Sequence, residues 1–193
     1  MNNFPKKCAL LILAVCLSFS VSRADIVNYT GTTVGGPTWN RPLAGNPPTA
    51  LSGVGTNVPW HAVSFTVNMA GSYAFLSVAT VPLNWDNFLF LYSNNFNPAT
   101  PLVNVLIGND DFPTIGRSGF NFNLNPGTTY FLVTTGFANS NAGAFQNTID
   151  GPGTIIIGGQ AVPEGGAGLV LFALVTAGLL ALGRRHCAAL VKA

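Results

Sequence analysis

Charge is what this chain has least of. Only 7% of its 193 residues are Asp, Glu, Lys or Arg, against 48% hydrophobic, and so apolar a chain lacks the profile of intrinsic disorder. The charge that exists is concentrated at the ends, where Lys6, Lys7, Arg23, Glu164, Arg184, Arg185 and Lys192 stand. Between residues 25 and 160 there remain Arg41 and Arg117 against Asp25, Asp86, Asp110, Asp111 and Asp150, with no lysine and no glutamate. A nucleic-acid partner needs clustered Lys and Arg to neutralise phosphates, so that class is excluded for the middle of the chain. Cysteine is scarce too: Cys8, Cys16 and Cys187 all lie outside residues 25–160. No disulfide staples that segment, which must therefore hold together by its core.

Catalytic equipment is equally thin. His61 is the one imidazole between residues 25 and 160, and no Gly-x-Ser-x-Gly elbow supplies it with a nucleophile. Zinc spacing of His and Cys is missing. Gly53-Val54-Gly55 lacks the third glycine of a dinucleotide fingerprint, and Ser52 beside it reads as a loop serine. The expectation is a protein that is not an enzyme.

Two long apolar runs stand apart from this middle. Residues 1–24 begin with Lys6-Lys7, continue through the apolar stretch 8–17 and close on Ser22-Arg23-Ala24, the three-part design of a secretory signal cleaved after Ala24. Residues 165–183 carry no charge; at about 1.5 Å per residue they span about 28 Å as a helix, close to a hydrocarbon core. They read as a transmembrane helix. Arg184-Arg185 follow at once and leave the tail on the cytoplasmic side, with the preceding domain outside. The chain thus divides into a signal peptide (1–24), a domain (25–160) and a C-terminal segment (161–193).

Just before the helix stand Val162-Pro163-Glu164-Gly165-Gly166. A proline followed by glycines cannot continue a helix, so those peptide bonds stay extended and open to a protease. This motif, the apolar run and Arg184-Arg185 together resemble the PEP-CTERM sorting signal and its Val-Pro-Asp-Ser-Gly variants, over about the last 30 residues. Gly165 stands where the commonest form has a second proline, and residues 187–193 extend past the basic pair. The resemblance implies an exported protein of a Gram-negative bacterium that makes exopolysaccharide. It further implies processing by a membrane-embedded exosortase, passage through an inner-membrane-anchored intermediate, and a final place at the cell surface or in the extracellular matrix.

The domain has the periodicity of strands. In residues 61–67, Val63, Phe65 and Val67 share one face and Ser64 and Thr66 the other; residues 72–78 alternate similarly. Further strands are expected at 88–93, 102–107, 119–124, 129–135, 144–149 and 154–157, separated by Gly, Pro, Asn and Asp. Asn125-Pro126-Gly127 is a turn in which Pro126 fixes φ and Gly127 accepts a positive one. Residues 29–56, rich in Gly, Pro and Thr, read as a long irregular loop. The fold class expected is all-β, an antiparallel β-sandwich with jelly-roll or related Greek-key order.

Trp85-Asp86-Asn87-Phe88-Leu89-Phe90-Leu91-Tyr92, Phe96-Asn97-Pro98, Gly108-Asn109-Asp110-Asp111 and Asn125-Pro126-Gly127-Thr128-Thr129-Tyr130 resemble the pattern of bacterial pre-peptidase C-terminal-like sandwiches across residues 64–145. Such modules are usually non-catalytic accessories or surface domains, and some hold calcium at acidic loops. The resemblance implies a structural, adhesive or binding role.

Two candidate sites follow from the residues themselves. Asn109, Asp110 and Asp111 form a loop cluster of acceptors, and Asp86 opens the neighbouring strand; calcium takes six to eight such oxygens. The same residues also serve to cap a turn through side-chain hydrogen bonds. For sugars, eighteen asparagines between Asn28 and Asn147 offer hydrogen bonds and Trp39, Trp60, Trp85, Tyr29, Tyr73 and Tyr92 offer aromatic faces. Most of these rings fit core positions equally well. Trp39, in the loop Thr38-Trp39-Asn40-Arg41-Pro42, is the candidate polysaccharide contact.

Overall fold

The computed structural model describes residues 24–158. Expectations that fall on Val162, Pro163, Glu164, Gly165, Gly166, Arg184 and Arg185, on helix 165–183 and on the body of the signal peptide lie outside the described residues.

Ten strands follow one another: β1 (Asp25–Thr32), β2 (Thr38–Trp39), β3 (Val58–Val67), β4 (Gly71–Val81), β5 (Asn87–Ser93), β6 (Val105–Asn109), β7 (Arg117–Leu124), β8 (Tyr130–Gly136), β9 (Ala144–Gly151) and β10 (Ile155–Ile157). Among the described residues there is no helix, and every strand pairing is antiparallel. The all-β expectation is met. One sheet has the order β1-β9-β4-β7; the other runs β10-β3-β8-β5-β6, with β2 on the flank of β3. From β3 onward the chain changes sheet at every step except between β5 and β6.

Alternation decides which side chains meet. Phe65, Val67, Leu89, Leu91, Ile107, Tyr130 and Leu132 from the larger sheet close on Tyr73, Phe75, Phe120, Leu124 and Ile149 from the smaller one. The two sheets therefore face each other across one apolar layer, the arrangement of a sandwich. A polar row crosses this interior near one end. Asn147 Nδ2 donates to Thr134 Oγ1 at 2.8 Å and to Tyr29 Oη at 2.9 Å, and Asn87 Nδ2 donates to Ser77 Oγ at 3.0 Å.

The larger sheet is buried on its outer side as well. Phe88, Phe90 and Tyr92 alternate with Leu89 and Leu91 along β5 and form a second apolar cluster with Trp39, Val58, Val105 and Val133. Residues 33–57 cover this cluster, and Trp39 is their main contribution. Here the long-loop expectation for residues 29–56 is corrected in part: Tyr29 to Thr32 belong to β1, a full strand paired with β9 from Asp25↔Gly151 to Thr32↔Ala144. The strand expected at 102–107 also moves, to Val105–Asn109, because Asn104 takes a left-handed φ of 64° that ends a turn rather than continuing a strand. The turn at Asn125-Pro126-Gly127 forms with Gly127 at φ 80°.

Candidate metal centre

Two connections meet at the end of the sandwich where β4 hands over to β5 and β6 to β7. Main-chain hydrogen bonds fix both: Ala79 N–H donates to Gly116 O at 2.8 Å and Phe112 N–H to Arg117 O at 2.7 Å. Ser118, on β7, shares its hydroxyl proton between the carbonyl of Asn87 at 2.7 Å and that of Asp110. This buried serine ties the start of β5 to the end of β6. Asp86 and Asp110 are thereby brought side by side although 24 positions separate their numbers, since 110 − 86 is 24.

The result is a triad. One carboxylate oxygen from each of Asp86, Asp110 and Asp111 lies within 4.8 Å of the others. One oxygen of Asp110, Oδ1, is buried and has no hydrogen-bond partner. Burial pushes the Asp110 carboxyl up to about 6; the neighbouring Asp86 and Asp111 charges add to the rise and Arg41 opposes it. Asp86 is raised for the same first reason, burial, and then by Asp111. Asn109, the fourth expected member, uses its side-chain oxygen to accept the Gly119 N–H at 3.1 Å, which braces β6 against β7.

Beneath the triad sits a residue that the sequence did not single out for this site. Arg41 is 1% exposed. Its Nε and Nη2 donate to the carbonyl of Phe137 at 3.0 and 2.6 Å, and Nη1 to the carbonyl of Pro42 at 2.8 Å. Its guanidinium carbon lies 4.2 Å from the Phe88 ring centre and 5.1 Å from that of Phe137. Burial lowers its pKa to about 10, while Asp110 and Asp86 pull the other way. No sequence pattern announces this, because the partners are main-chain carbonyls and ring faces.

Charge arithmetic then favours a divalent cation. Three carboxylates against one guanidinium leave two negative charges in a partly desolvated corner, and an unpartnered buried carboxylate oxygen is a costly group without a cation. All-oxygen donors of this kind suit calcium rather than zinc.

No family model matches the chain, and no curated protein matches it.

Trp39 is placed differently from its expectation as an open sugar platform. It is 4% exposed, donates from Nε1 to Thr135 Oγ1 at 3.1 Å, and meets Phe90 and Phe96 edge-on at 5.6 and 5.4 Å. The outer face of β5 needed an apolar cover, and Trp39 supplies it. His61 lies in β3 opposite Thr134, with Phe145 at 5.5 Å; burial lowers its pKa.

Proposed function

We propose that this chain is an exported surface or matrix protein whose domain is a structural or adhesive, non-catalytic β-sandwich stabilised by calcium at Asp86, Asp110 and Asp111. The strand orders β1-β9-β4-β7 and β3-β8-β5-β6 support a jelly roll, eight strands in two Greek keys, with β10 added at the β3 edge. The observation that carries the calcium reading is the triad itself: three carboxylate oxygens within 4.8 Å, one of them in a residue whose other demands are unmet. Asp86, Asp110 and Asp111 would hold the ion, and main-chain carbonyls of the same loops would complete its shell. Calcium there would cross-link the β4–β5 and β6–β7 connections.

Export rests on the sequence. The signal peptide cleaved after Ala24, the Val162-Pro163-Glu164-Gly165-Gly166 motif, the apolar segment 165–183 and Arg184-Arg185 point to insertion by the inner membrane and to an exosortase-type processing enzyme as partner. Exopolysaccharide is the proposed surrounding material.

Thermal unfolding in millimolar calcium against EDTA tests the metal. At 100 times the dissociation constant, binding adds about 2.7 kcal/mol, which reads as a clear rise in melting temperature. The Asp110→Asn/Asp111→Asn variant should lose that rise; an unchanged wild-type melting temperature rejects calcium. Mass spectrometry of the mature protein tests export, with an N-terminus at Asp25 and a C-terminus near Pro163 as the expected masses. An intact chain from Met1 to Ala193 in the cytosol rejects it.

A further inference from the structure

A second concave site lies where the covering segment meets the outer side of β7. Asn46, Ser72, Asn121, Phe122 and Asn123 line a groove of about 270 Å³. It follows β7, the terminal strand of the smaller sheet. Register sets Ser72 opposite Asn123 and Ala74 opposite Asn121, so both asparagines rise from the same open face, about 7 Å apart along the strand. Both are exposed, as are Asn46 and Ser72.

Main-chain groups add to the supply. The Gly119 N–H is turned away from β4 and donates to Asn109 Oδ1; alternation along the strand turns the N–H and C=O of Asn121 and Asn123 the same way. Asn46 arrives from the covering segment, anchored next door where Gly45 and Gly108 exchange hydrogen bonds at 3.0 and 2.9 Å. One step further along β7, the Phe112 ring, 49% exposed, rests on Gly119, where a Cβ would come within 3.1 Å of it.

The chemistry of that wall is specific. Three carboxamides and a hydroxyl present donors and acceptors together, which is what sugar hydroxyls present in return. Phe112, resting on Gly119 on the same outer side, gives apolar surface to the C–H side of a ring, whereas the Phe122 ring, opposite buried Tyr73, packs toward the core. The groove offers an anion no lysine or arginine and a metal ion no carboxylate. We propose that this groove binds a neutral saccharide, with a polysaccharide chain lying along β7. A peptide strand adding to the β7 edge would call instead for pockets that receive alternate side chains; uncharged amides standing on an open face favour the sugar. The proposal rests on the reading of the domain as a structural or adhesive module at the cell surface or in the matrix.

The test uses the full-length chain in detergent micelles, with EDTA present so that the Asp86 cluster plays no part. Retention is measured on an insoluble neutral β-glucan, on an α-mannan and on a cross-linked polyuronate. Retention on a neutral polymer is expected, released by its soluble oligosaccharide and reduced tenfold or more by Asn121→Ala/Asn123→Ala. Asn28→Ala, on the same sheet face outside the groove, should bind like wild type. Melting temperatures verify that each variant folds, and Asn46→Ala on the facing loop gives an independent loss should the double variant not fold. The proposal is overturned by no retention on either neutral polymer, by equal retention of the groove variants, by preference for the polyuronate, or by release with an extended peptide alone. Calcium stabilisation and the mature termini are measured separately, so a failure here leaves those readings standing and theirs leaves this one.

Discussion

Replacing Arg41 with methionine removes a fully buried cation while keeping most of its volume. Three hydrogen bonds to the carbonyls of Phe137 and Pro42 disappear, and each buried acceptor left unsatisfied costs about 1–3 kcal/mol. The stacking on Phe88 and Phe137 contributes a further ~0.5–2 kcal/mol. The thioether recovers part of this through its own packing, so the expected net loss is about 3–5 kcal/mol, the range for breaking a buried charged contact. For a domain of this size that is a fall of roughly 10–20 °C in melting temperature. Because Arg41 also offsets Asp86 and Asp110, the effect is coupled to them. In calcium-free buffer at neutral pH, adding Asp110→Asn to Arg41→Met should recover about 1 kcal/mol or more, a positive coupling in a double-mutant cycle. Denaturant unfolding of the four proteins measures both quantities. An Arg41→Met protein within about 1 kcal/mol of wild type, or a double variant less stable than Arg41→Met alone, would refute the reasoning.

Two other outcomes follow from the same structure. The folded protein keeps the Asp110 proton up to about pH 6, whereas the unfolded chain releases it near the ordinary 3.8; the folded state binds more protons in that window, so calcium-free stability should be highest below about pH 4 and decline as pH rises through 6. Melting curves from pH 4 to 7.5 in EDTA should show that decline, with calcium restoring stability at pH 7 and not at pH 4; a rise across the window in the wild type, absent from Asp110→Asn, would contradict it. Trp39→Ala should cost about 3–5 kcal/mol as a large aromatic lost from a core, read by denaturant unfolding; a protein of unaltered stability would show that Trp39 does not hold the covering segment in place.

Legibility followed the physics of each element. Strands half-buried on one face, such as β4 and β9, alternate openly and could be read. The run Phe88 to Tyr92 is apolar at both parities, and that is the mark of a strand covered on both sides; taken at full weight, it calls for a cover and hence for a buried Trp39. Residues 29–32 lead into a segment rich in Gly, Pro and Thr that has loop composition, yet Val27 and Tyr29 alternate inward against Ile26, Asn28 and Thr30. At the candidate metal centre the aspartates were visible by type, and their meeting depends on Ser118 and on two strand connections that only topology joins. Arg41 was hidden because its partners are backbone atoms, which every residue has. The β7 groove was hidden because asparagine is everywhere in this chain and only the sheet edge selects Asn121 and Asn123.

The pairing of β1 with β9 sets the order in which the molecule can be completed. Asp25 opens the domain and its partner Gly151 nearly closes it, and β9 also separates β1 from β4 in the smaller sheet. A chain emerging with its N-terminus first must carry its leading strand unmated until almost the last residues arrive. Such high contact order makes for slow closure, and the smaller sheet is complete only once β9 exists to pair with both β1 and β4.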